Sequence, residues 1–331
     1  MSPGHRHHLE RALELAERGR GTTHPNPVVG AVVVCEGEVV GEGWHERAGG
    51  PHAEVVALEA AGERARGATL YVTLEPCAHH GRTPPCADAV VEAGIARVLC
   101  ACSDPNPKTD GAGLRRLREA GVTVELADED LAVRARRQNE AYRVWVVEGR
   151  PFVTYKAAVT LDGRVAAAGG EARWISGEES RRRVHELRAA SDAVAVGMGT
   201  ARAENPVLTA RDVAVARQPR RLAFGHGPLP EGSELELLER PLADELRRLA
   251  GEGVQSLLLE GGPTLAGAFL RAGLVDKLLL FVAPALVGGD DAPPLFAGPG
   301  APTLADALRV HELEVDRAGA DLVVTGYLRA P

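Results

Sequence analysis

The sequence has 331 residues, 45% of them hydrophobic and 25% charged, and its formal net charge is −8. This length and composition predict two globular domains, and the acidic balance argues against a general binder of nucleic acid or another polyanion. No apolar run approaches the roughly 20 residues that cross a membrane, and residues 1–20 lack the apolar core of a secretory signal. Five cysteines in such a chain favour metal-binding or structural roles over disulfides. We therefore expect a cytoplasmic protein.

The first half alternates predicted helices and strands. Apolar residues at helical spacing predict helices at 8–19, 53–61, 86–93 and 113–120. Short apolar runs predict strands at 28–34, 38–43, 69–74, 96–101 and 122–126. An Arg-rich helix is predicted from Asp128 to about Val146. Because helices of this length connect parallel strands, the first half should form a layered α/β sheet.

A domain boundary is predicted near Glu148-Gly149-Arg150-Pro151, which gives one domain of residues 1–148 and another of residues 149–331. The second half repeats the alternation, with strands predicted at 152–159, 193–196, 221–224, 256–260 and 277–282. Helices are predicted at 178–190 and 264–272. Residues 309–315 and 321–327 are typical of an antiparallel pair at the C-terminus.

Four residues of the first half predict a catalytic zinc site. His52 opens one predicted helix, Cys77 follows a strand, and Cys86 opens the next helix. One imidazole and two thiolates leave the fourth tetrahedral position of zinc open, so a bound water could ionise near pH ~7. Glu54 lies too close to His52 in sequence to be a convenient ligand and is the candidate proton carrier. A His-x-Glu motif followed by Pro-Cys and a second Cys is the arrangement of zinc deaminases.

A closed structural zinc site, or simply buried cysteines, is the alternative interpretation. It is the favoured one for Cys35, Cys100 and Cys102, which lie on predicted strands in apolar surroundings. Eight residues separate Cys77 from Cys86, where base deaminases usually have two.

Several motifs resemble one family, the bifunctional deaminase–reductases of riboflavin biosynthesis. They are Thr23-His24-Pro25-Asn26-Pro27-Val28-Val29-Gly30, Pro51-His52-Ala53-Glu54, the stretch from Glu75 to Cys86, and Asp104-Pro105-Asn106-Pro107. The resemblance extends over essentially the whole chain and includes the long Cys77–Cys86 spacing. It implies a cytidine-deaminase-like three-layer α/β/α domain followed by a dihydrofolate-reductase-like α/β domain.

The resemblance also implies the chemistry. One zinc per chain would serve deamination of 2,5-diamino-6-(5-phosphoribosylamino)pyrimidin-4-one, and NADPH would then reduce the ribosyl group to ribityl phosphate. Matching positions give the substrate contacts of the deaminase as Asn26, His45, Arg82, Asp104 and Asn106. Asn26 and Asn106 both precede proline in a chain with only four asparagines, although Asn-Pro also simply initiates turns.

In the second half, residues 257–267 run from a strand through Gly261-Gly262 into a helix. Such a turn lets backbone approach a phosphate at a helix start, although most strand–Gly-Gly–helix turns are plain connections. Lys156 is one of only three lysines and lies on a predicted strand. Neither signal is specific by itself.

The resemblance gives these residues roles. Lys156 and Glu260 would be catalytic beside the reacting sugar, and Arg188, Leu208 and Arg211 would bind the substrate, with the two arginines on its phosphate. The cofactor would be held by Trp174, Thr200, Glu204, Gly262, Pro263, Thr264, Leu265, Ala266, Gly267 and Ala268.

Two departures from the family pattern concern the cofactor side. Glu204 is one methylene longer than the usual acid, and the segment from His226 to Gly253 is predicted to lack an extra apolar strand.

Two other functions remain open at this point. One is a nucleobase or nucleic-acid deaminase with an inactive second domain, against which the net charge speaks. The other is a regulatory protein with a structural zinc, in which Glu54 would have no purpose. We expect a small-molecule substrate, a homo-oligomer, and no nucleic-acid or membrane partner.

Overall fold

The computed structural model describes residues 1–78, 84–107, 109, 111–172, 175–215 and 217–329. The chain divides into two compact units, Met1–Glu148 and a second that begins at Gly149. Among the described residues, no helix is long and apolar enough to cross a membrane.

The first unit is built on a five-stranded sheet. Its strands are β1 (Gly30–Cys35), β2 (Glu38–Trp44), β3 (Thr69–Val72), β4 (Arg97–Cys100) and β5 (Thr123–Leu126). Its α-helices are α1 (Pro3–Glu17), α2 (Ala53–Ala61), α3 (Cys86–Glu92), α4 (Ala112–Glu119), α5 (Glu129–Gln138) and α6 (Glu140–Glu148), with a 3₁₀ turn at Gly62–Ala65. The strand order is β2-β1-β3-β4-β5. Strand β1 is antiparallel to both neighbours, whereas β3, β4 and β5 are parallel, as the helical connections predict.

Helices cover both faces of this sheet. On one face, residues of α2, α3 and α4 such as Ala57, Val90 and Leu117 pack on alternate strand residues. On the other face, Leu9 and Leu131 of α1 and α5 pack on the remaining ones. Alternate residues of each strand are therefore buried on opposite sides, which gives three layers.

The predicted helix from Asp128 to Val146 is wrong, because the structure breaks it at Asn139 into α5 and α6. The Asn139 side chain is buried and makes two bonds with the Val28 backbone, accepting from its N–H and donating to its C=O at 2.9 Å each. Those two bonds compensate for the interrupted helix. Helix α1 also begins at Pro3, earlier than predicted, and is capped by Ser2.

The second unit contains an eight-stranded sheet. Its strands are β6 (Phe152–Thr160), β7 (Ala193–Gly197), β8 (Arg220–Phe224), β9 (Glu236–Leu238), β10 (Ser256–Leu259), β11 (Lys277–Ala283), β12 (His311–Ala318) and β13 (Asp321–Tyr327). Its α-helices are α7 (Glu178–Ala190), α8 (Met198–Glu204), α9 (Leu242–Gly251) and α10 (Pro263–Arg271), with a 3₁₀ turn at Leu304–Asp306. The strand order is β12-β13-β11-β6-β10-β7-β8-β9. Strand β13 is antiparallel to β11 and β12, and the other pairs are parallel.

The prediction for residues 226–253 is wrong, since this segment does contain an extra strand. Strand β9 pairs in parallel with β8, and α9 follows it. The strand has only three residues, and one of them, Glu236, is polar. The sequence therefore contains no apolar run that would predict a strand here. Its place is set by the burial of Leu235 and Leu238 and by Leu246 and Leu249 of α9. Helix α8 was also not predicted.

Candidate active sites

In the first unit, two helix starts and a strand end bring three possible metal ligands together. His52 is the N-cap residue of α2, Cys86 is the first residue of α3, and Cys77 follows β3. His52 Nδ1 lies 3.1 Å from Cys86 Sγ and 3.7 Å from Cys77 Sγ. All three ligand atoms lie within 4.8 Å of one another. In the described part of the chain no further His, Cys, Asp or Glu belongs to this group.

The protonation of this cluster suits a soft divalent cation. The Cys86 thiol and the His52 ring hold the pKa of Cys77 down to about 4, and the Cys86 N–H also donates to Cys77 Sγ at 3.3 Å. The neighbouring thiolate and burial raise the pKa of Cys86. Two neighbouring thiolates would repel each other, and a divalent cation bound between them would remove that repulsion. One nitrogen and two sulfurs fit zinc with one position left for water.

Glu54 lies beside this cluster, in the first turn of α2, and is only 3% exposed. Burial raises the pKa of its carboxyl to about 7. It is not grouped with the three ligands but lines the same cavity. A divalent cation at the ligands would stabilise its charged form.

That cavity has a volume of about 390 Å³ and also contains four of the predicted substrate contacts: Asn26, His45, Asp104 and Asn106. Asn26 Nδ2 donates to His45 Nε2 at 3.0 Å, and His45 Nδ1 donates to the Pro51 carbonyl at 2.9 Å. The bond from Asn26 requires a neutral imidazole, because Nε2 must accept, and burial lowers the pKa of His45. The fifth predicted contact, Arg82, lies outside the described residues.

Among the other residues that line the cavity, the sequence analysis gave no role to Glu75, Tyr142 and Trp145. The Glu75 carboxylate accepts from the N–H groups of Gly113, Leu114 and Asp104 at 3.0–3.3 Å. It therefore ties the start of α4 to the loop after β4. Its position two residues before Cys77 was a signal that could have been used, whereas no motif marks Tyr142 or Trp145.

In the second unit, Glu260 follows β10 and lies between two cations. Arg188 donates to both of its carboxylate oxygens, from Nε at 2.6 Å and Nη2 at 3.0 Å. Lys156 Nζ donates to Oε2 at 3.4 Å. The three side chains are largely buried, with 9–15% of their surface exposed. Burial alone would raise the pKa of Glu260, but the charge of Lys156 and the bonds from Arg188 lower it to about 2.

The two arginines predicted to bind phosphate differ in availability. Arg188 is paired with Glu260 and also donates to the Thr209 carbonyl at 3.2 Å. Arg211 is exposed and donates to Thr209 Oγ1 at 3.4 Å. The third residue predicted to bind the substrate, Leu208, is buried and has a φ of 54°. Arg211 is therefore the more accessible cation.

The predicted cofactor turn lies at the ends of adjacent parallel strands β7 and β10. Gly197 is the N-cap of α8, and Gly262 is the N-cap of α10. A Cβ added at Gly262 would lie 3.6 Å from Thr200 Oγ1, so the two helix starts are neighbours. Their N–H groups suit a diphosphate.

Not all predicted cofactor residues are equally placed. Pro263, Thr264, Leu265 and Ala268 are at least partly exposed, but Ala266 is in the core. A Cβ at Gly267 would come within 2.1 Å of the Ala297 carbonyl oxygen, so this position packs against protein. Glu204 is exposed at the last turn of α8, and Trp174 lies outside the described residues.

Comparisons with known proteins cover both units. Residues 3–102 match the family model of the cytidine and deoxycytidylate deaminase zinc-binding region, and residues 151–324 match that of the RibD C-terminal domain. The riboflavin biosynthesis protein RibD of Escherichia coli strain K12 is 41% identical over 96% of this chain and 97% of its own length. RibD of Mycobacterium tuberculosis is 42% identical over 95% of this chain and 94% of its own.

Solved structures agree with the sequence comparisons. Acinetobacter baumannii RibD superimposes with a TM-score of 0.87 at 39% identity, covering 98% of both chains. A Thermotoga maritima protein described as a diaminohydroxyphosphoribosylaminopyrimidine deaminase/5-amino-6-(5-phosphoribosylamino)uracil reductase gives 0.82 at 32% identity, again over 98% of both chains. The predicted fold class, a cytidine-deaminase-like domain followed by a dihydrofolate-reductase-like domain, is confirmed.

Proposed function

Because this chain belongs to the RibD family of bifunctional riboflavin-biosynthesis deaminase–reductases, we propose that residues 1–148 carry its deaminase and residues 149–331 its reductase. The match over nearly the full chain, including the second domain, argues against the alternative of a nucleobase or nucleic-acid deaminase with an inactive second domain. We assign 2,5-diamino-6-(5-phosphoribosylamino)pyrimidin-4-one as the substrate of the deaminase. Its deaminated product is then the substrate of the reductase.

The observation that carries the deaminase assignment is the meeting of His52, Cys77 and Cys86 beside buried Glu54 in one cavity. Zinc, when bound there, supplies the Lewis acidity that makes water nucleophilic near neutral pH. Glu54 takes a proton from the water as its oxygen attacks the ring carbon that carries the amino group. It then delivers a proton to that amino group, which leaves as ammonia.

Asn26, His45, Asp104 and Asn106 hold the pyrimidine in this cavity. The neutral His45 ring, fixed by Asn26 and the Pro51 carbonyl, gives the cavity an uncharged wall. Arg82 is assigned to the same substrate by the family match alone.

For the reductase, NADPH supplies the hydride that converts the ribosyl group to ribityl. Gly262, Thr200 and the first turn of α10 are proposed to hold its phosphates, because two helix starts meet there. Lys156 and Glu260 flank the reacting sugar as a donor and a permanent anion. Arg211 binds the substrate phosphate, and Arg188 fixes Glu260.

Metal removal and Lys156→Ala should separate the two reactions. Chelation of zinc should abolish ammonia release, while NADPH oxidation on already deaminated substrate continues. Lys156→Ala should give the reverse pattern. Lys277→Ala is a matched control, since this lysine lies over the Tyr327 ring and should not affect either reaction. Loss of both reactions in folded, zinc-loaded Lys156→Ala would require a single composite active site instead.

We also propose that the protein is a homo-oligomer, because apolar side chains are exposed on β12, the edge strand of the second sheet. Registers place Leu280, Val324 and Val315 of β11, β13 and β12 side by side on one face. The opposite face packs on Val184 and Leu187 of α7. Val315 and Leu313 are 61% and 62% exposed. An apolar sheet face of this kind is typical of a subunit interface.

Light scattering on the purified protein tests this proposal. A dimer should have about twice the chain mass of 34.9 kDa. The double variant Leu313→Glu/Val315→Glu should be monomeric, whereas Leu126→Glu, at an exposed site in the first unit, should stay dimeric. A monomeric wild type at micromolar concentration would refute the interface.

A further inference from the structure

Helix α6 contributes a side chain to the deaminase cavity that none of the roles above uses. Tyr142 is 8% exposed and lines the cavity together with Trp145. The family model of the deaminase zinc-binding region ends at residue 102, so α6 lies outside it.

The Tyr142 hydroxyl lies between two proposed substrate contacts. It is 3.3 Å from Asp104 Oδ1, and Asn106 Nδ2 donates to it at 3.3 Å. An ionised carboxylate only accepts hydrogen bonds, so the single phenolic hydrogen goes to Asp104 and the oxygen accepts from Asn106. This fixes which end of the Asn106 carboxamide faces Tyr142, and it excludes the flipped amide.

The backbone around these residues is also held. The Asn106 N–H donates to Asp104 Oδ1 at 2.9 Å, and the Asp104 N–H donates to Glu75 at 3.3 Å. Helix α6 itself starts after Asn139, whose side chain is bonded to the Val28 backbone. The helix is thus tied both to the segment that follows Asn26 and to the loop that carries Asp104.

We propose that Tyr142 is a positioning residue of the deaminase, which orients Asp104 and Asn106 for the donor and acceptor edge of the pyrimidine. The inference rests on the proposed function, which assigns those two residues to the substrate. A ring with amino, imino and carbonyl groups is distinguished by the direction of each hydrogen bond. Loss of the Tyr142 hydroxyl would remove one of the bonds that orient the Asn106 carboxamide and the Asp104 carboxylate, and binding would weaken.

The test is Tyr142→Phe, which keeps the ring and removes only the hydroxyl. We expect the KM of the deamination to rise about tenfold, in line with the loss of a bond to a charged group, and kcat to change less than about twofold. In an Asn106→Ala background the same substitution should raise KM by a smaller factor, because only Asp104 is left to be oriented. Zinc content and thermal midpoint should stay at the wild-type values.

Tyr155→Phe is the matched control. It also removes a hydroxyl from a buried tyrosine, which in that case donates to the Leu295 carbonyl at 3.2 Å in the second unit. Its deamination KM should not change.

An unchanged KM in Tyr142→Phe, an equal rise in both backgrounds, or loss of zinc and thermal stability would each overturn the positioning role. If Asp104→Ala and Asn106→Ala raise KM while Tyr142→Phe does not, only this inference fails. If those two alanine variants also leave KM unchanged, the proposed substrate contacts fail with it.

Discussion

Glu54 and Glu260 are the same residue type, one in each unit, and both are buried beside a candidate reaction centre. Burial dominates at Glu54 and raises the pKa of its carboxyl to about 7. At Glu260, Lys156 and Arg188 overcome the effect of burial and lower the pKa to about 2. The surroundings therefore make one carboxyl a proton carrier and the other a permanent anion.

The two sites also differ in how they are built. The first uses side chains close together in sequence, at the starts of α2 and α3. The second uses side chains from β6, α7 and the end of β10, which are far apart in the chain. Substitutions in the first unit therefore test the role of Glu54 and the metal ligands, and substitutions in the second unit test the role of Glu260 and its cations.

The largest effect is expected for Glu54→Gln. The amide keeps the size of the side chain but cannot carry a proton, so ammonia release should fall by about 10²–10⁴-fold. Zinc content and NADPH oxidation should remain, because Glu54 is not grouped with the ligands. Parallel assays of both reactions check this, and a variant that kept full deaminase activity would assign the proton transfer to another group.

The second-largest effect is expected for the loss of one zinc ligand. In Cys86→Ser the metal affinity should drop by more than about 10²-fold, since even changes beside metal ligands cost 10–100-fold. Metal analysis after dialysis should show most of the zinc lost. Cys35→Ser, at a half-buried cysteine on β1, is the control and should keep its zinc. Full zinc retention in Cys86→Ser would refute the ligand set.

The depressed pKa of Glu260 predicts an acid-dependent stability. Because the folded-state pKa of about 2 lies below the ordinary 4.5, the charged carboxylate stabilises the fold above pH ~4.5, and this contribution is lost as pH falls through about 2. Its size is about 3 kcal/mol. Thermal unfolding of wild type and Glu260→Gln should differ clearly at pH 6 and converge near pH 2. A constant difference across that range would contradict the ion-pair explanation.

The smallest effect is expected for Arg211→Ala. Since Arg211 is exposed, losing its phosphate contact should raise the KM of the phosphorylated substrate only about tenfold, at the low end for charge-assisted bonds. The KM for NADPH should not change. Arg188→Ala should instead lower the stability of the second unit, because it leaves Glu260 with Lys156 alone. Equal KM effects for substrate and NADPH in Arg211→Ala would place the phosphate elsewhere.

The local sequence pattern was sufficient to predict many of the helices and strands. Helices at 53–61 and 178–190 have the predicted bounds, because their apolar spacing and end signals are contained within the segment itself. The helix starts at His52 and Cys86 were predicted for the same reason. Their motif and the chemistry of zinc together are sufficient to indicate a metal site from the residues alone.

Contacts between distant residues were decided only by the tertiary structure. The break at Asn139 depends on Val28, 111 residues away in the chain, and nothing in the local sequence of α5 and α6 indicates it. The pairing of Arg188 with Glu260 spans 72 residues, and no local sequence pattern indicates it. Sequence thus determined the residue types and the local elements that carry them. The burial and the neighbouring charges that give Glu54 and Glu260 opposite pKa shifts arise only when the chain is folded.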